Sequence, residues 1–184
     1  LKKGLIVMNL GLFIVRFVVG ALFIGHGTQK LFGWFGGHGL EGSGRFFEQI
    51  GYTPGRLMAT IGGMTEAGGG ALLMMGFLTP LGCAAIVGMM VGTLPVHGPK
   101  GLWNTNGGFE LPLVYATCAA LIAFAGPGRA SIDAAIGWSS SGPAIGTAAV
   151  AFGALTGVVM LAVRAGRMER AAHEPEQPQQ RRAA

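Results

Sequence analysis

His26, Gln29 and Lys30 stand at i, i+3 and i+4 at the end of a long apolar run, so on a helix they share one face. His97, Trp103, Asn104 and Glu110 lie between two later apolar runs, with Lys100 and Asn106 among them. If successive apolar runs alternate in direction, all of these residues come to one rim of a helix bundle. Imidazole, ammonium, carboxylate and amide groups that converge beside an indole can hydrogen-bond a ligand and exchange protons with it. The expected ligand site is therefore His26, Gln29, Lys30, His97, Trp103, Asn104 and Glu110.

Two further charges sit deeper. Arg16 interrupts LGLFIVRFVVGALFIG, and Glu66 interrupts GGMTEAGGG. A charge at bilayer depth costs at least about 2.5–3.5 kcal/mol, so it faces a partner and not lipid. Gly62, Gly63, Gly69 and Gly70 fall on the same helix face as Glu66, which recesses its carboxyl against a neighbouring helix. Counted from the same membrane face, Arg16 lies roughly 11 Å deep and Glu66 roughly 16 Å. These depths predict an Arg16–Glu66 ion pair, either a register-fixing structural pair or the midplane site of a solute or proton path.

Simpler readings exist for the rim as well. Lysine and histidine at a helix end snorkel, and Trp34, Phe35 and Trp103 make an aromatic belt. Nothing in the spacing holds His26 and His97 face to face for haem, and no metal site is expected. Cys83 and Cys118 each lie inside an apolar run without a CxxC or Cys/His pattern, and read as small packing residues. No Ser/His/Asp set, phosphate-cradling loop or paired catalytic carboxylates can be assembled.

The elements that must position these groups follow from composition. Hydrophobic residues make up 51% of the chain and charged residues only 11%, with a mean hydropathy of +0.52, which is membrane-protein composition. The expected fold is an all-α membrane protein: a four-helix transmembrane bundle plus a fifth transmembrane helix, multi-pass in the cell membrane. The bundle fills residues 1–133 with helices at about 5–32, 57–77, 78–97 and 109–125, and the fifth helix covers 144–163. Each apolar core is near the roughly 20 residues that cross a bilayer. The first reads as a span and not as a cleavable leader, and Met8 is an alternative start to Leu1. The 34 glycines fall among Leu, Val, Ile and Met, which argues for tight helix packing.

Between the spans, residues 33–56 form a glycine-rich loop in which Phe46 and Phe47 suggest a short interfacial helix. Thr79-Pro80 suits a helix start, and 97–108 has loop chemistry. Residues 164–184 read as a disordered basic tail. Lys30, Arg45, Arg56, Lys100 and the tail arginines fall on one side, which predicts an outside N-terminus and a cytoplasmic tail. The net charge of +5 is thus topological, and nucleic acid is excluded as a partner.

GHGTQKLFGWFGG, then GGMTEAGGGALLMMGFLTPLG, then GPGRASID, resembles the DoxX family of small membrane proteins over about Leu10 to Asp133. The resemblance implies a four-helix membrane core with polar positions at Arg16, His26, Lys30, Glu66, His97 and Glu110. It also implies a link to quinone-dependent electron transfer. The fifth helix and basic tail lie outside the usual pattern. The expected function is a redox-associated subunit that binds quinone and works with an oxidoreductase partner, with no covalent cofactor evident. The alternatives are a solute or proton pathway, or a membrane scaffold for soluble redox enzymes. A homo-oligomer is compatible with the sequence.

Overall fold

The computed structural model describes residues 2–173 and is 82% helical, with no strand among the described residues. Five helices form the body: α1 (Lys2–Phe32), α3 (Gly55–Met75), α4 (Thr79–Gly92), α6 (Glu110–Ala125) and α8 (Pro143–His173). Between them lie an amphipathic α2 (Gly39–Gln49), and short α5 (Leu94–His97) and α7 (Ile132–Ala135). The stretches Lys3–Phe32, Thr79–Lys100 and Pro143–His173 are long and apolar enough to cross a membrane, and α6 is a shorter apolar helix. The chain is an all-α membrane protein. Its surface confirms this inside-out logic: Ile6, Leu10, Phe17, Leu155 and Val158 face outward while Arg16, Glu66 and Asp133 are buried.

The fifth segment is longer than expected. Helix α8 continues through Arg164, Arg167 and Arg170 to His173, so the first half of the expected disordered tail is helical. Ala, Arg, Met and Glu are strong helix formers, and contacts to the α2–α3 loop hold the extension. The remainder of that tail, 174–184, lies outside the described residues. Arg164 Nε donates to the Ile50 carbonyl (2.6 Å) and Arg167 reaches the Thr53 hydroxyl (3.4 Å), so α8 ends on the rim that also carries α2.

Helix α1 packs along α3, α3 on α4, and α4 on both α6 and α8. Glycine sets the closest approaches. A Cβ on Gly20 would meet the Gly70 carbonyl at 2.6 Å, and one on Gly27 would meet the Ala67 nitrogen at 2.5 Å. The backbones of α1 and α3 therefore touch over two full turns, with Gly20 level with Gly70 and Gly27 level with Gly63. The α4–α8 seam repeats the device: Gly153 lies on Ala84, and Gly157 on Gly88 and Val91.

The turn between α3 and α4 is built from afar. Gly76, at φ 62°, ends α3 in a Schellman arrangement, with Gly76 N–H on Leu73 and Phe77 N–H on Leu72, both 3.0 Å. Leu78 then takes φ 45°, a left-handed conformation unfavourable for leucine. Asp133 holds it there. The Leu78 and Thr79 amides donate to its carboxylate at 2.9 and 3.0 Å, and the hydroxyls of Thr79 and Ser140 at 2.7 and 2.9 Å. A fully buried carboxylate 54 residues downstream thus caps the start of α4.

These contacts predict opposite outcomes for two neighbouring glycines. Gly27→Val should destabilise the protein by about 1–3 kcal/mol, because backbone on α3 cannot yield to the new side chain. Gly25→Ala, which points into open space, should be neutral or stabilising by about 0.5–1 kcal/mol. Thermal unfolding in one detergent checks both.

Candidate functional site

Glu66 does not meet Arg16. The glycine register of α1 on α3 sets Arg16 against Gly76, at the end of α3, ten residues or about 15 Å from the level of Glu66. Arg16 is instead buried beside the 128–133 loop. Its Nη2 donates to the Ala130 carbonyl, its guanidinium lies 5.7 Å over the Phe13 ring, and Asp133 supplies the opposing charge. Nε and Nη1 have no hydrogen-bond partner among the described residues. Helix α1 runs on past the end of α3, so equal depths counted from segment ends did not correspond to equal heights.

The partner of Glu66 is Lys30. Its Nζ lies 2.5 Å from Oε2, with the lysine side chain 26% exposed and the glutamate 6%. Lys30 starts about one turn closer to the rim, and its four-carbon stem spans the difference in height to reach Glu66. The lysine ammonium has three N–H groups and spends one on Glu66, so two remain for another acceptor. The pair is structural, but it is not closed.

It opens into a cleft of about 530 Å³ between α3, α4 and α8. Ile61 and Thr65 of α3, Met89 of α4, and Phe152 and Met160 of α8 supply its walls. Phe46, Phe47 and Ile50 close the rim end, and His97 and Tyr52 join Lys30 and Glu66 as its polar groups. Tyr52 donates its hydroxyl to the Gly92 carbonyl (2.9 Å) beneath the Arg164 guanidinium. Burial pushes its phenol above the ordinary tyrosine range, partly offset by Arg164, so it remains a donor at neutral pH. A mostly apolar cleft of this size with a few convergent polar groups has the anatomy of a small-molecule site.

The structure divides the remaining rim residues from this cleft. His97 lines it, with Nδ1 2.7 Å from the Gly107 carbonyl, which folds the 98–108 loop over the helix end. His26 is exposed on the outside of α1, 3.3 Å from Gln29 and edge-on to Phe23. Gln29 in turn donates to the Phe35 carbonyl and pins the turn after α1. Glu110 accepts the Asn104 amide at 2.8 Å and shapes its own loop, and Trp103 is exposed. The expected seven-residue rim is therefore not one site: Lys30 and His97 reach the cleft with Glu66, whereas His26, Gln29, Trp103, Asn104 and Glu110 do not line it. Tyr52 and the α8 wall were not anticipated, because no spacing rule connects residues 52 and 152–160 to Lys30.

A model of the DoxX family matches residues 11–99 of the chain. That range holds Lys30, Glu66, Tyr52 and His97, and stops before α6 and α8. No curated protein and no solved structure matches the chain.

The ion pair makes a direct test. Removing one member of a buried pair leaves an uncompensated charge and costs about 3–5 kcal/mol, while removing both is far milder. In a double-mutant cycle, Lys30→Met with Glu66→Gln should therefore show strong coupling. Arg16→Met with Glu66→Gln should be additive. Denaturant unfolding of the purified variants reads both cycles, and additivity in the first would dissolve the pair.

Proposed function

We propose that this chain, which belongs to the DoxX family of membrane proteins, is a redox-associated subunit whose cleft binds a quinone head group at Lys30 and Glu66. The observation that carries the reading is an ion pair at mid-bundle height with unspent lysine donors, opening into an otherwise apolar cleft. A bound quinone would supply two-electron, two-proton redox chemistry, with electrons delivered by a partner oxidoreductase.

The protein's own part is recognition and proton handling. Lys30 donates to a ring carbonyl oxygen and holds the Glu66 carboxyl in orientation. Glu66 holds Lys30 in place, and the pair can pass a proton to, or take one from, an oxygen lying against it. His97 stands on the rim side of the same cleft, where it bonds the Gly107 carbonyl. The apolar walls exclude water and strengthen these contacts. The rim bearing α2, Lys100 and the α8 arginines is the cytoplasmic one, by the excess of positive charge.

Each lost hydrogen bond to a ligand weakens binding by about 1–3 kcal/mol, more where a charge is left unpaired. Binding of a quinone analogue to the protein in nanodiscs should therefore weaken at least several-fold in Lys30→Met, Glu66→Gln and His97→Ala. Glu110→Gln and Trp103→Phe, which lie outside the cleft, should bind as the parent does. Loss confined to the second group would move the site to the outer loop. A parent protein and partner complex with no quinone affinity would leave the scaffold role standing.

A further inference from the structure

The cleft is long and open on one side, and this shape says what kind of molecule it takes. Its lining on α4 runs from Leu81 to Gly92, about 16 Å of helix. The cleft of about 530 Å³ extends along that length. Polarity is graded along it. Tyr52, Thr93, His97, Lys30 and Glu66 occupy the rim half and the middle, whereas Leu81, Ala84, Ala85 and Phe152 line the far half.

The two ends and the sides differ in access. At the rim, α2 and the 50–53 loop close the cleft, and Arg164, through Ile50 and Tyr52, ties that loop to α8. Gly51 also packs on Met168, so this end is strapped against water. The side is different. Helices α3 and α8 each pack on α4 but not closely on one another. Between them, exposed Ile61, Phe152 and Thr156 flank a mouth on the lipid-facing surface.

We infer that the cleft takes a bilayer-dissolved amphiphile with an apolar tail, which enters sideways between α3 and α8. The tail lies along the far half of the cleft and the polar head stops at Lys30. Helix α8, beyond the segment that matches the family, is the wall that turns the exposed face of α3 and α4 into this channel. The inference rests on the proposed ligand site for the identity of the head, but the route and the tail follow from the walls alone.

Fluorescence quenching in nanodiscs separates the two. With Trp34, Trp103 and Trp138 replaced by phenylalanine, Met89→Trp places a reporter on the cleft floor and Phe152→Trp a control on its outer edge. Phosphatidylcholine brominated along its acyl chains should quench the floor reporter about as strongly as the control, and aqueous iodide should quench neither. Met160→Trp serves as the floor reporter if Met89→Trp does not fold. A floor reporter shielded from bromolipid, or quenched by iodide, overturns lateral entry, whatever the quinone result. Bromolipid access without quinone affinity keeps the channel and removes the quinone head group.

Discussion

The site depends on the backbone contact between α1 and α3. Two helices whose side chains interdigitate can slide by a turn at modest cost, but two that touch through Gly20, Gly27, Gly63 and Gly70 cannot. Any displacement drives a side chain into a carbonyl oxygen. That constraint places Lys30 one turn rimward of Glu66, a distance a lysine stem spans and a shorter cation would not. The same constraint carries Arg16 away from Glu66 and into the loop beyond α6. One packing decision thus assigns Arg16 and Lys30 their partners.

Much of the architecture was legible. Apolar runs pointed to an all-α membrane protein, in which Lys3–Phe32, Thr79–Lys100 and Pro143–His173 are long and apolar enough to cross a membrane. Thr79-Pro80 lies at the start of α4, and Phe46-Phe47 within the amphipathic α2. The reasons are local: a helix long enough to cross a bilayer must be apolar, and proline fits only its first turn. The recessed position of Glu66 was legible too, from glycines sharing its face. Its partner was not. Depth counted from the ends of hydrophobic segments assumes that the ends are level, and α1 overshoots α3 beside the 128–131 loop. Register is a property of two helices together, and neither sequence carries it alone.

The rim shows a second limit. Parity assigns His26, His97 and Glu110 to one end of the bundle, yet each helix has a direction around its axis as well as along it. His26 faces outward while Lys30, 40° further round and one turn on, faces the cleft. Likewise, Glu110 binds the nearby Asn104 amide, because a loop of glycine and asparagine leaves backbone donors that a neighbouring carboxylate satisfies first. The extension of α8 was hidden by composition: arginine and glutamate suggest a solvated tail, but also suit a helix that continues into water.

The Asp133 cap has a consequence for how the chain matures. The α3–α4 hairpin looks like a local unit, and the family match even ends soon after it, at Pro99. Yet its left-handed Leu78, the amide of Thr79 and the guanidinium of Arg16 all find their acceptors between Ala130 and Asp133. During synthesis those groups remain without their final partners until α6 has been made and the chain has returned to the same face. The family segment therefore draws part of its buried hydrogen bonding from outside itself. The loop that follows α6 supplies those contacts, and α8 then packs on α4.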